Sequence, residues 1–295
     1  MGEDLFEARP DLLGKRADRI LGWSLRDLCL NGPESELTRT EHAQPALFAI
    51  SYALWEAFDA AVPGAPAGVA GHSLGEYTAL TAAGSLDFDS ALTLVAKRGE
   101  AMAAAADTDS SGMVALLGAD VETAQSLASQ RRDMGGRLQV ANVNTPSQVV
   151  LAGGTDDIEW VVENARELGL RRAIPLKVAG AFHSEFMEPA QTEVRAAISD
   201  VEVSEPAFPI WSNTTARPHS TDLLRETLAR QLVSPVRFSE SLENMASNGI
   251  DIFVHVGPGD ATAGMAKRTL DGIEVVVVSS LADTAKAADA VGTMT

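Results

Sequence analysis

The chain is poor in the residues that mark several specialised classes. It has one cysteine, Cys29, among 295 residues, so no internal disulfide can form. Cys29 lies in Leu-Cys-Leu on a helix-patterned stretch, the place of a small buried hydrophobe. Basic residues are outnumbered, 23 Lys and Arg against 41 Asp and Glu, for a formal charge of −18. A phosphate backbone rewards positive surface, so this balance speaks against general nucleic-acid binding. The apolar runs, such as Val275 to Val278, are too short to cross a bilayer. The opening MGEDLFEARP lacks the basic and apolar regions of a secretory signal. A soluble cytoplasmic protein is therefore expected. There is no His-x-x-x-His or His/Cys cluster for a metal and no Gly-x-Gly-x-x-Gly phosphate loop.

What is present is an ordinary folded composition, 45% hydrophobic. Residues 4–30 are patterned as helix until Gly32 and Pro33 interrupt. AQPALFAISYALWEAFDA repeats Ala46, Leu47, Ile50, Leu54 and Phe58 at helical spacing, with Pro45 suited to a first turn. VPGAPAG, 62–68, reads as a loop, and 89–105 as a helix. From 111 the texture changes: GMVALLG, LQVANVN, SQVVLAG and AIPLKV read as strands, with helices over 120–133 and 155–168. Further helices fit 185–198, 221–232 and 239–248, and FPIWSN, IDIFVHVG and EVVVVSS read as strands. This pattern predicts an α/β protein: a mostly parallel sheet body from 1–110 and 178–295, with an inserted α+β, ferredoxin-like subdomain at 111–177.

Gly71-His-Ser73-Leu-Gly75 has the spacing of a nucleophile elbow and sits between strand-like Val69-Ala70 and helix-like EYTALTAAG. On such a turn the serine is forced outward, and glycines two residues either side are expected to avoid collisions. The N–H of Leu74 and the helix start can then stabilise charge on a substrate carbonyl oxygen. A serine hydroxyl needs a base, and there are five histidines. His72 adjoins Ser73, but side chains diverge on a sharp turn. His42 and His219 stand in polar loop contexts and read as surface residues. His255, inside FVHVG, reads as structural or pocket-lining. His183, in a loop between a strand and a helix, is the first choice.

GHSLGEY, KRGEAM, NVNTPSQVVLAG, GAFHSEFM, QLVSPVRF and HVGPG, in this order, resemble the malonyl-CoA:acyl carrier protein transacylases and the related acyltransferase domains of polyketide synthases. The resemblance implies Ser73 as the acylated residue, His183 as its base and Arg98 as partner of the free malonyl carboxylate. Taken alone, Arg98 reads as a helix-surface arginine. The resemblance also places Asn142 near the substrate and Asn144 in shaping the adjoining loop. His72 and Phe182 are further candidates at the acyl site. Gln231 matches a position whose main-chain carbonyl orients the base, so its side chain is expected to matter less. The implied reaction is ping-pong, with a CoA thioester as donor, a phosphopantetheine thiol as acceptor and no metal, nicotinamide or flavin. The implied partners are malonyl-CoA and an acyl carrier protein, met by a monomer, with no nucleic acid and no membrane.

Two features depart from the resembled pattern. Family members begin with a short strand and a Gly-Gln-Gly-Ser-Gln loop, whereas this chain opens at MGEDLF, which resembles the segment just after it. The expectation is that the sequence is shortened there. Gly180 stands where many malonyl-selective synthase domains have His, while Phe182 before His183 resembles the malonyl-selective pattern more than the Tyr-Ala-Ser-His of methylmalonyl-selective relatives. Arg171, Arg172, Lys267 and Arg268 are candidates for a basic carrier-docking surface. A serine hydrolase or thioesterase shares the elbow but has its His near the C-terminus, after the acid, and His183 comes too early for that order. A stand-alone polyketide acyltransferase with another carboxyacyl donor, or a non-catalytic homologue, are the other readings.

Overall fold

A computed structural model describes residues 1–62 and 64–292 of the chain. The helix-patterned N-terminal stretch is four short helices, Glu3–Ala8, Pro10–Leu13, Lys15–Leu21 and Leu25–Asn31. Ser24 caps the fourth by accepting from the Asp27 N–H. The Thr40–Asp59 helix starts earlier than its apolar repeat suggests, which puts Pro45 inside the helix and not in its first turn. Pro45 has no N–H for the Glu41 carbonyl. Burial of Gln44, Phe48, Ala49, Ala53 and Leu54 against the Phe88–Ala106 helix offsets that loss. Asp87 caps the second of this pair, accepting from the N–H groups of Asp89 and Ser90. Within the predicted 62–68 loop, Pro63 lies outside the described residues, and 64–68 form mainly irregular backbone.

The strands are β1 Val69–Ala70, β2 Ser111–Leu117, β3 Leu138–Thr145, β4 Gln148–Gly154, β5 Arg172–Pro175, β6 Ile210–Trp211, β7 Ile252–Val256 and β8 Glu274–Val278. The parallel strands form two pairs, β1 with β6 and β7 with β8. The other four make an antiparallel sheet of order β3-β4-β2-β5. With the helices Val121–Asp133 and Thr155–Glu163 as its crossovers, this is the ferredoxin-like arrangement that the texture from 111 onward predicted. Alternation explains its apolar strands. Val114, Leu116, Val149 and Leu151 pack under the two helices with Leu127, Ile158 and Val161. The opposite face, Met113, Ala115, Val150 and Ala152, joins the large core that holds the Thr40–Asp59 and Phe88–Ala106 helices. Both faces are buried, so the strands read as continuous apolar runs.

Several elements differ in extent from their sequence patterns. β5 stops at Pro175, leaving Leu176 and Val178 exposed. β6 covers only two residues of FPIWSN, and the helix expected to 168 ends at Glu163. Helices Ala261–Thr269 and Leu281–Gly292, which carry no strong sequence pattern, complete the chain beside β7 and β8. Among the described residues, no helix is long and apolar enough to cross a membrane.

Candidate active site

β1 runs through Gly71-His-Ser-Leu-Gly75 into the Gly75–Ala82 helix, and Ser73 sits at the bend with φ 50°. Left-handed backbone disfavours a residue with a Cβ by about 1–2 kcal/mol, so the surroundings must hold it. Asn213 does this: its Oδ1 accepts from the Ser73 N–H at 2.7 Å and its Nδ2 donates to the Gly71 carbonyl at 2.7 Å. The two elbow glycines are not equivalent. A Cβ on Gly71 would lie 2.0 Å from the Gly75 carbonyl group, whereas one on Gly75 would meet nothing within 4 Å. The expected collision holds for Gly71 only, because the turn folds Gly75 back over Gly71 while the first helical residue faces open space. The Leu74 N–H has no protein partner among the described residues and is available to an oxyanion.

His183 is the second left-handed residue, φ 58°, in the loop before the helix Glu188–Ser199. The loop comes close to the end of the Phe88–Ala106 helix, where a Cβ on Gly180 would be 2.7 Å from that of Ala106. His183 Nε2 is 2.8 Å from Ser73 Oγ, and Nδ1 is 2.9 Å from the Gln231 carbonyl. A carbonyl can only accept, so Nδ1 carries the proton and the Nε2 lone pair faces the serine hydroxyl. The Gln231 carbonyl can accept because Gln231 is the last residue of the Leu224–Gln231 helix, where its other donor is the Ser234 N–H at a long 3.4 Å. Burial, reinforced by the nearby Arg98 cation, pulls His183 from 6.5 down to about 3. The imidazole is thus neutral and competent to take a proton.

Arg98 is 1% exposed, in the apolar stripe Ala91, Leu94, Val95, Ala101, Met102 and Ala105 of its helix. Its Nη2 donates to Ser73 Oγ at 3.0 Å and to Gln231 Oε1 at 3.0 Å, while Nη1 donates to Gln44 Oε1. The guanidinium carbon lies 5.3 Å from the centre of the Tyr77 ring. Among the described residues no carboxylate forms an ion pair with it, and its Nε has no partner. Burial alone depresses its basicity. A buried arginine at the nucleophile, whose hydrogen-bond acceptors are all uncharged oxygens, has the donors to hold an anionic group.

The remaining candidates divide. His72 Nε2 bonds Asn144 Oδ1 at 2.8 Å and the ring stands edge-on to Phe238. Asn142 is held at a bulge of β3 beside Val236, and no hydrogen bond joins its side chain to Ser73, His183 or Arg98. Phe182 is half-buried against the main core. The side chain of Gln231 is engaged as fully as its carbonyl, with Arg98, the Ser73 carbonyl and Glu76 as partners. His219 is not a surface residue: its side chain is 2% exposed and bonds Glu76 at 2.6 Å, because the loop after β6 returns over the elbow helix. Half-buried His42 bonds the Glu36 carbonyl, and His255 bonds Thr262 and the Gly257 carbonyl, away from the nucleophile. Sequence reasoning missed Gln44, Glu76 and Asn213. Gln44 and Glu76 share a legible signal, since each is a polar residue in the buried register of an amphipathic helix.

An outward-turned serine with a buried neutral histidine, on an α/β body beside a ferredoxin-like sheet, defines an acyl-transferring serine enzyme. The family model described as "Acyl transferase domain" matches residues 1–295, and the chain belongs to that family. It is 38% identical over 283 residues to the malonyl CoA-acyl carrier protein transacylase of Bacillus subtilis (strain 168), covering 95% of this chain and 89% of that one. It is also 38% identical over 275 residues to the polyketide biosynthesis malonyl CoA-acyl carrier protein transacylase PksC of the same organism, covering 91% of each. Among solved structures, a malonyl-transacylase in complex with its type II polyketide acyl-carrier protein is similar with a TM-score of 0.92. That match has 33% identity and covers 97% of this chain and 94% of the other.

Proposed function

We propose that the protein transfers a malonyl group from malonyl-CoA to the phosphopantetheine thiol of an acyl carrier protein. The observation that carries this reading is Arg98: a buried guanidinium without an ion pair, 3.0 Å from the nucleophilic oxygen. In the first half-reaction His183 Nε2 takes the Ser73 proton as Oγ attacks the thioester carbon. The carbonyl oxygen takes up negative charge toward the Leu74 N–H, and Arg98 turns to the malonyl carboxylate. The tetrahedral adduct then expels CoA thiolate, which takes the proton from His183. In the second half-reaction the carrier thiol gives its proton to His183 and attacks the malonyl ester. Ser73 leaves and recovers that proton. Asn142, His72 and Phe182 are read as walls of the acyl site.

The same reading makes residues 111–177 a small subdomain inserted between 1–110 and 178–295, in a cytoplasmic monomer. The carrier, acidic in this family, docks on Arg171, Arg172, Lys267 and Arg268, all exposed. The test is mass spectrometry of the protein after malonyl-CoA alone and then after added holo carrier. Malonylated Ser73 that discharges onto the carrier is expected. Free malonate as the main product at saturating carrier would show a hydrolase instead.

A further inference from the structure

Behind the elbow lies a buried carboxylate that the reaction described above does not use. Glu76 is 1% exposed. Its Oε1 accepts from His219 Nε2 at 2.6 Å and from the Asn213 N–H at 3.2 Å, and its Oε2 accepts from Gln231 Nε2. The Gln231 amide can therefore point only one way. Its nitrogen faces two groups that only accept, the Ser73 carbonyl at 3.0 Å and the Glu76 carboxylate. Its oxygen faces a group that only donates, Arg98 Nη2, at 3.0 Å. Turning the amide over would oppose its NH₂ to the guanidinium and its oxygen to both acceptors.

We propose that Glu76 is a positioning residue for acyl selection: it orients the Gln231 amide, whose oxygen holds the Arg98 guanidinium at the acyl site. This rests on the reading of Arg98 as receptor of the acyl carboxylate. An acceptor-only group at 76 is what sets the direction. With Glu76→Gln, of nearly the same shape, the oxygen of residue 76 stays on His219 and Asn213, and its NH₂ is left facing Gln231. Gln231 must then reverse, turning its own NH₂ toward Arg98 and depriving Nη2 of one of its two acceptors, so that only Ser73 Oγ remains. The loss falls on a substrate that needs Arg98 and spares one that does not.

The experiment measures kcat/KM for malonyl-CoA and acetyl-CoA with one carrier, using wild type, Glu76→Gln, Gln231→Met and the double variant. Both donors are assayed on the same preparation, so their ratio is independent of the folded fraction. Hydrogen bonds to charged groups are strong enough that the malonyl-to-acetyl ratio should fall about tenfold or more in Glu76→Gln. It should fall comparably in Gln231→Met, and the double variant should fall no further than Gln231→Met, since both act through one amide. Equal losses for both donors in Glu76→Gln would reduce Glu76 to a structural residue and overturn the proposal. So would an unchanged ratio in Gln231→Met, which decides the matter even if Glu76→Gln does not fold. A further fall in the double variant would show a route that bypasses Gln231. Arg98→Ala run in parallel separates the two ideas. If it leaves the ratio unchanged, the carboxylate reading itself fails. If it shifts the ratio while the other variants do not, only the role of Glu76 fails.

Discussion

Ser73 and His183 meet at 2.8 Å, Oγ to Nε2, from two left-handed backbone positions with φ 50° and 58°. Neither is glycine, so each conformation is held by its neighbours: Asn213 across the elbow, the close approach of Gly180 to Ala106 below the histidine loop. The bonds of Asn213 to the elbow and of the Gln231 carbonyl to the imidazole hold two side chains from separate loops within reach of each other.

The strain should be measurable at Ser73. Ser73→Ala and Ser73→Gly both remove the nucleophile and abolish the acyl-enzyme. Glycine accepts positive φ without a Cβ penalty, so the Gly variant should unfold at higher denaturant than the Ala variant, by about 1 kcal/mol. Equal midpoints would mean that the bend relaxes when the hydroxyl is lost.

The two glycines of the elbow should behave oppositely. Gly71→Ala drives a methyl into the Gly75 carbonyl and is expected to cost at least about 1–3 kcal/mol with loss of acyl transfer. Gly75→Ala adds a methyl to open space at the first position of a helix, and its stability should be unchanged or slightly higher. Chemical denaturation of both variants makes the comparison, and equal destabilisation would contradict the asymmetry.

Acylation should persist at unusually low pH. His183 must be neutral to act as base, and burial together with Arg98 lowers it to about 3 from 6.5. The acid limb of kcat/KM with acetyl-CoA should therefore lie well below 6.5. Arg98→Ala removes a neighbouring cation, so protonation becomes easier and the limb should move to higher pH. It should not recover fully, because burial is the larger cause. A wild-type limb near 6.5, or one unmoved by Arg98→Ala, would contradict this account.

Acyl size should be read by Phe182. The ring precedes the base and packs half-buried against the main core, and a ring lining the acyl site would take the volume that an α-methyl needs. Phe182→Ser should improve methylmalonyl-CoA relative to malonyl-CoA by an amount equivalent to about 1–3 kcal/mol. Competition between the two donors for one carrier checks it, and unchanged discrimination would remove Phe182 from the selection.

Part of this was legible in the residue pattern. The strand, elbow and helix around Ser73 are local, because a nucleophile turn needs its glycine, its serine and its helix within a few positions. The continuous apolar runs of β2 and β4 likewise marked them as strands. Pro45 misled because helix N-termini are set by capping and by packing of the preceding turn, which an apolar repeat does not report. His219 misled because its polar neighbours describe the loop and not the helix that the loop covers.

The sequence by itself determined the elbow that presents Ser73 and the alternation of elements, since each depends on residue type at short spacing, while His183, 110 positions away, was only the first choice of five histidines. Only the tertiary structure decided which way Gln231 points, that Arg98 makes no direct ion pair among the described residues, and that Glu76 stands behind both. Those facts belong to groups separated by up to 158 positions, the Ser73 carbonyl and the Gln231 amide. Hydrogen-bond direction exists only once donor and acceptor have been brought together by the packing of helices against one core.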